Sequence, residues 1–292
     1  MQAVLLMVIS GACYAGMAAI VKWLAGTIHP LEMVFFRNLF GLAVVLPFFL
    51  GNGLGSLDMR RAPIFLVRGI VQASAQTLFY FGIVLTTLAA AVTLTMTQGF
   101  ILAIGAVVFL GEPSQLKRWL AVIAGMAGAL MVARPDAGLL AVFLDGETTD
   151  LRALGAALVI LSTVGYAALS LNAKVLVRNL PIPSVITGTL LFSTPLTFIA
   201  ASFVWTWPSL FELVALAAMG GLGTAGNATL TRALKMGDVT ILAPLIYVRL
   251  LWGALFGFVL FAEIPGPWTA IGAALIIGAG VYMSRLEPHR TS

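Results

Sequence analysis

The chain has 292 residues, 61% of them hydrophobic and only 9% charged, with a mean hydropathy of +1.06. A soluble domain averages about 25% charged residues, so this composition excludes a soluble globular protein and points to a polytopic membrane protein. The net charge of +5 reads as a topology signal and not as a nucleic-acid footprint, because the basic residues fall almost entirely on one side of the expected spans.

A spanning helix needs roughly 20 mostly apolar residues. Ten such segments follow in order at 2–25, 30–50, 63–85, 87–110, 115–133, 153–176, 182–205, 209–233, 239–261 and 267–285. They are continuous apolar runs, which excludes the alternating ten-residue strands of a membrane β-barrel. The first span repeats in the sixth. ISGACYAGMAAIVK (9–22) matches LSTVGYAALSLNAK (161–174), so that Ser10, Tyr14 and Lys22 meet Ser162, Tyr166 and Lys174 at a constant offset of 152. The ends of the fourth and ninth spans match as well, Glu112 against Glu263. Five spans per copy is an odd number, so the second copy enters the membrane from the opposite side. Inverted repeats of this kind build secondary transporters whose substrate sits near the bilayer midplane. The fold expected is therefore all-α, with ten transmembrane helices as two inverted five-helix repeats. The division is 1–135 for the first repeat, 136–152 for a linker, 153–285 for the second repeat and 286–292 for a tail.

With the N-terminus inside, Arg60, Arg61, Arg68, Lys117, Arg118, Lys174, Arg178, Arg232, Lys235, Arg285 and Arg290 lie on one side and Lys22, Arg134 and Arg152 on the other. This bias predicts both termini in the cytoplasm of a bacterial cell, with the chain in the inner membrane. The single cysteine, Cys13, forms no intramolecular disulfide. SGAC resembles a lipoprotein cleavage site, yet no Lys or Arg precedes the apolar run, so the first segment reads as a retained helix.

The chain resembles the ten-helix drug/metabolite transporter (DMT) superfamily of the EamA type. The resemblance rests on FFRNLFGLAVVLPFF in the second span, LFYFGIVLTTLAAAVTLTMTQGFILAIGAVVFLGE across the third and fourth, and ILAPLIYVRLLWGALFGFVLFAEIPGPWTAIGAALIIGAGVYM in the ninth and tenth. It implies a central cavity built by spans 1–4 and 6–9, with spans 5 and 10 peripheral. It also implies that Arg37, which matches a family arginine, orients the second span.

Arg249 is the leading site candidate, an ionisable side chain at mid-span, where charge is expensive and marks function. A guanidinium binds a carboxylate through two parallel hydrogen bonds. The alternative is a helix-tying role through backbone carbonyls. Its repeat partner is Gln98, and Tyr247 and Trp252 lie near it in sequence. The third span carries Arg68, Gln72, Gln76 and Tyr80 at four-residue steps, one face of a helix. That stripe reads as a cavity wall, with Arg68 reaching the cytoplasmic interface; plain interhelical hydrogen bonding is the alternative. Asn227 answers from the eighth span. Tyr14 and Tyr166 lie along the pathway. Lys22 and Lys174 are gate candidates near opposite surfaces, or lysines that snorkel to the interface. Glu112 and Glu263 read as helix-end residues.

No His, Cys and carboxylate cluster suggests a metal, and no phosphate loop suggests an ATP motor. No cofactor and no enzymatic chemistry are expected. The partners expected are a small-molecule substrate and the lipid bilayer, without nucleic acid, for a monomer or weak homo-oligomer. The leading reading is export of small metabolites, chiefly neutral or aromatic amino acids, by alternating access and facilitated diffusion or exchange. A carrier for nucleotide-like or sulfonium metabolites and a hydrophobic-drug exporter are the alternatives.

Overall fold

In hydrocarbon every backbone N–H and C=O has to be bonded within the protein, which leaves an apolar chain of this length to fold as helices. The computed structural model describes residues 2–24, 26–51, 61–85, 94–133, 151–261 and 267–284, and there it is helical with short turns. The first repeat supplies α1 (Gln2–Leu24), α2 (Pro30–Gly51), α3 (Ala62–Leu85), α4 (Thr97–Leu110) and α5 (Leu116–Ala133). The second supplies α6 (Leu151–Leu176), α7 (Ile182–Ser202), α8 (Leu210–Met236), an interrupted α9, and α10 (Pro267–Ser284). Seven helical stretches among the described residues are long and apolar enough by themselves to cross a membrane, and Thr97–Leu110 and Ala270–Tyr282 are shorter apolar helices.

Three details depart from the sequence expectation. The ninth span is not one helix: Val239–Leu242 is α-helical, Ala243–Tyr247 is 3-10, and Val248–Phe261 resumes the α-helix. Pro244 in the 3-10 piece has no N–H to donate to the helix, which accounts for the interruption. The seventh span stops at Ser202, three residues short, before the turn that holds Trp205 and Trp207. The fourth span has a turn at Met96 just ahead of Thr97, the repeat counterpart of Val248, and 86–93 lies outside the described residues. So do the linker as far as 150, with α6 already begun at Leu151, and the tail 286–292.

The helix pairs carry the pseudo-twofold of the repeat. α1 packs on α8 and α9, as α6 packs on α3 and α4; α2 packs on α8, as α7 packs on α3. The axis passes through two self-related pairs, α2 with α7 and α5 with α10. The face where α1 begins and α10 ends is called here the terminal face, and the opposite one the linker face. Apolar side chains such as Val67, Val108 and Phe109 point outward, where only lipid tails suit them.

Two apolar clusters bracket the interior. Toward the linker face, Met33, Phe35 and Phe36 of α2 pack with Leu24, Leu216 and Met219. Toward the terminal face, Met7, Leu102, Leu234, Leu242 and Leu245 form the second. The space between them is the candidate site.

Candidate functional site

Between the two clusters lies a cavity of about 130 Å³, lined by α1, α2, α3, α4, α6, α8 and α9 and by Thr95. Neither α5 nor α10 contributes to it. Its floor on the terminal side is Met7, Leu234, Leu245 and Ile246, and its roof on the linker side is Met17, Phe79 and Tyr80. The space is an order of magnitude larger than the roughly 10–15 Å³ that one water centre needs, so it accepts a small polar molecule. Three arginines line it, Arg37, Arg68 and Arg249, and among its described lining residues there is no carboxylate.

Arg249 stands in the first turn after the 3-10 piece, half-buried at the cavity wall. Among the described residues it makes one hydrogen bond, a long one from Nη2 to Thr95 Oγ1 at 3.4 Å. A guanidinium has five N–H donors, so most of this one is available to a ligand. Gln98 lines the same wall at 8% exposure. Tyr14 and Tyr166 face each other's helices across the cavity, and both lie near enough to Arg37 and Arg249 to interact with them electrostatically.

From α3 the cavity receives Gln72, Gln76 and Tyr80, and from α8 it receives Asn227 and Thr231. Gln76 Oε1 accepts from Asn38 Nδ2 at 2.9 Å, and Tyr80 Oη reaches Met219 Sδ at 3.9 Å. Gln72 Nε2 is buried without a partner among the described residues. Arg68 does not reach the interface. It is 7% exposed, with Nε donating to Thr189 Oγ1 and Nη1 to Leu169 O and Asn172 Oδ1 at 2.7–3.1 Å. The sequence could not show those acceptors, because all three come from the other repeat.

Two of the candidates sit elsewhere. Tyr247 is fully buried among Met96, Leu250 and Ile276, with its ring where a Cβ on Gly99 or Gly125 would clash. Trp252 donates from Nε1 to Val8 O at 3.1 Å and stacks on Phe256, fastening α9 to α1 outside the cavity. Conversely, Arg37, expected only to orient α2, lines the cavity, as do Ser10, Phe79, Thr95 and Ser170. A helix azimuth decides such cases, and α2 gives no azimuthal signal because it is apolar almost all round.

A positively charged, aromatic-walled chamber at mid-depth between two inverted repeats is a transport site in form. The model of the EamA-like transporter family matches residues 1–134 and again 153–285. The chain belongs to that family. Among characterised relatives, it is 27% identical to an S-adenosylmethionine uptake transporter of Rickettsia bellii over 90% of this chain and 86% of that one. It is 27% identical to the pseudopaline exporter CntI of Pseudomonas aeruginosa, covering 97% and 96% of the two chains. A riboflavin transporter of Rhizobium johnstonii is 28% identical, over 97% and 91%. A solved crystal structure superposes with a TM-score of 0.81 over 99% of this chain and 98% of that chain at 20% identity, which shows the same fold. The protein is thus a multi-pass membrane transporter of a small metabolite and not an enzyme.

In this EamA-like transporter the terminal-face end of the cavity is closed by an ionic seam. Gly111, at φ 66°, ends α4 in the left-handed conformation that favours glycine and turns Glu112 back toward the bundle. Glu112 accepts from Lys174 Nζ of α6 at 2.9 Å, and from Val239 N, Thr240 N and Thr240 Oγ1 at 2.8–2.9 Å. Lys174 also donates to Gly237 O at 2.7 Å. Arg118 of α5 joins through Asp238 Oδ2 at 3.1 Å and through Thr240 Oγ1. Burial alone would raise the Glu112 pKa, but the Thr240 and Val239 amides and the Lys174 ammonium together hold it below the usual carboxylate value. The side chain of Lys22 and all of Glu263 lie outside the described residues.

Proposed function

We propose that the protein exports small carboxylate-bearing metabolites of the amino-acid type, by alternating access and without ion coupling. The observation that carries this reading is Arg249: a cation at mid-span, beside a cavity, with one weak bond to the described residues and no carboxylate among the described lining residues. A substrate carboxylate supplies what the protein does not. Tyr14, Phe79, Tyr80 and Tyr166 offer ring faces and edges to the rest of the molecule, while Gln72, Gln76, Gln98 and Asn227 offer neutral hydrogen bonds.

The repeats rock about the level of Arg249 and Gln98, with the 3-10 interruption of α9 as the hinge. Lys174 on the terminal face, and Lys22 at its repeat position, serve the two gates. The terminal face is cytoplasmic and the membrane is the bacterial inner membrane, as the charge bias directs. A cysteine at Trp207, exposed in the turn after α7, in a Cys13→Ser background, is labelled by an impermeant reagent from outside the cell. Labelling only after permeabilisation overturns this orientation.

The experiment for the substrate class is uptake into proteoliposomes against a panel of amino acids and their amides. Arg249→Gln weakens recognition of the acids by about 1.5–3 kcal/mol, the range for hydrogen bonds to charged groups, and leaves the amides nearly unchanged. Equal loss for acid and amide assigns Arg249 a helix-tying role instead. The similarity to an S-adenosylmethionine uptake transporter favours a second reading, a sulfonium or nucleoside cargo stacked on the tyrosines. Competition by S-adenosylmethionine at the affinity of the best amino acid would select it.

A further inference from the structure

The cavity contains more positive charge than one carboxylate can answer. Of its three guanidiniums, Arg68 is the most engaged, with three N–H bonds to the neutral acceptors Thr189, Leu169 and Asn172. Among the described residues Arg37 and Arg249 each make a single hydrogen bond, to Asn38 and to Thr95. No carboxylate faces either of them among the described lining residues. Two half-buried cations at one cavity wall without a counter-ion among the described lining residues are costly, and a zwitterion of net charge zero leaves both charges in place. A cargo with two negative groups neutralises them.

Arg37 is built as a second anchor at a different level from the first. A Cβ on Gly223 of α8 would come within 3.0 Å of Arg37 Nε and Met17 Sδ, so the guanidinium lies at the level of Met17 in α1. The backbone of Arg249 lies at the level of Gly11, where a Cβ would meet Arg249 N at 3.3 Å. Six residues of α1 separate these levels, about 9 Å at 1.5 Å per residue. Arg37 is held by Asn38, whose Nδ2 donates onward to Gln76 at 2.9 Å. In the same wall Gln72 Nε2 has no partner among the described residues although Gln72 is only 5% exposed, a donor free to meet a second acceptor on the ligand.

We infer that the substrate carries two anionic groups, one at each end, held between Arg249 and Arg37. This rests on the reading of Arg249 as the carboxylate site and adds to it the class of cargo: a dicarboxylate, or an amino acid with a second acidic group.

The test uses purified, detergent-solubilised protein and ligand-induced thermal stabilisation, with the α,ω-dicarboxylates from succinate to suberate, their monomethyl esters, and the matching monocarboxylates as probes. In the wild type the best diacid binds at least tenfold more tightly than its own half-ester. Arg37→Gln removes that difference and leaves the half-ester and the monocarboxylate at their wild-type affinities. Arg37→Lys, which retains the charge, restores part of the difference, and the wild-type half-ester affinity of Arg37→Gln shows that the first variant is folded. Diacid and half-ester binding equally, with both dependent on Arg249, overturns the two-anion inference and leaves the single-carboxylate reading intact. Equal weakening of every probe by Arg37→Gln also overturns it, since Arg37 would then only hold α2 in place. Binding that ignores Arg249 altogether sinks the underlying reading as well.

Discussion

The two ends of the cavity are closed by different chemistry. On the terminal face the seam is ionic: Glu112, Lys174, Asp238, Arg118 and Thr240 join the ends of α4, α6 and α8 and the starts of α5 and α9. On the linker face, among the described residues, the seam is aromatic. Trp205 contacts Phe35, Phe36 and Phe198 at centroid distances of 5.5–6.1 Å; of the carboxylates at this end, Glu32 is fully buried and accepts from Thr206 N and Oγ1, and Glu212 caps the start of α8 with Ser209. Ring contacts are short-ranged and tolerant of sliding, so an aromatic seam yields by degrees. A buried ion pair has two discrete states, made or hydrated, because a half-made pair leaves a charge without a partner. The difference teaches which seam is suited to an all-or-none gate. It is the ionic one.

The largest effect that separates the seams is expected from Glu112→Ala. It leaves the Lys174 ammonium, on a side chain 12% exposed, beside Gly237 O alone. Removing one partner of a buried pair costs about 3 kcal/mol or more, so the population with this end open rises by two orders of magnitude. A cysteine at Ala173, which lines the cavity one residue from Lys174, reports that as faster labelling from the terminal face. Lys174→Gln combined with Glu112→Gln recovers much of the closed state, because neither charge is then left alone. A double variant as open as Glu112→Ala would show that the pair does not set the gate.

A smaller change is expected on the other side. Trp205→Leu keeps an apolar side chain in the linker-face cluster and removes its three phenylalanine ring contacts, of about 0.5–1.5 kcal/mol each, roughly 1.5 kcal/mol in total at the low end expected of rings that can slide. Labelling of a cysteine at Met17 from the linker face should rise about tenfold and not a hundredfold. A hundredfold rise would reverse the ranking of the two seams.

How much of this could be read from the chain alone depends on how far apart the interacting residues lie. The inverted repeat, the polar stripe of α3 and the exceptional depth of Arg249 are local patterns, and the side chains of that stripe do face the cavity. The ionic seam was not legible as a contact, because Lys174 and Glu112 stand 62 residues apart in opposite repeats. A signal did exist: both belong to pairs matched across the repeats, which marked them out without joining them. Arg37, expected to orient α2, and Arg68, expected at the interface, both line the cavity, and the sequence missed this for the same reason. Which of them faces the cavity freely is set by Gly223 on one side and Thr189 and Asn172 on the other, all supplied by the second repeat. Tyr247 and Trp252 share a helix with Arg249, yet their helical phase turns them toward α10 and α1; the 3-10 piece shifts that phase and hides it from a 3.6-residue count.

The smallest expected effect is that of pH, and its sign follows from Glu112. Its carboxyl is held below the ordinary value by the Thr240 and Val239 amides and by Lys174, against burial that raises it. A group whose folded pKa is depressed contributes stability above its unfolded pKa, about 4.3 for a glutamate, and loses it as pH falls through the folded value. The Glu112 contribution is therefore complete at neutral pH and weakens as the medium falls below the carboxylate range. Among the described residues lining the cavity there is no Asp, Glu or His to bind and release a proton near neutrality. Substrate flux in proteoliposomes at fixed voltage is then unchanged between about pH 6 and pH 8 and indifferent to a one-unit pH gradient of either sign. Ala173→Cys labelling from the terminal face rises only when the medium falls below the ordinary carboxylate range. The two measurements separate gate from coupling. A labelling rise in acid with flat flux at neutrality fits an ionic gate on an uncoupled carrier. Uphill accumulation driven by the pH gradient alone would mean that a proton-binding group acts in the cycle after all. Glu32→Gln would then decide whether the buried carboxylate of the aromatic seam supplies it, and the contrast between the two ends would have to be redrawn with the moving charge on the linker side.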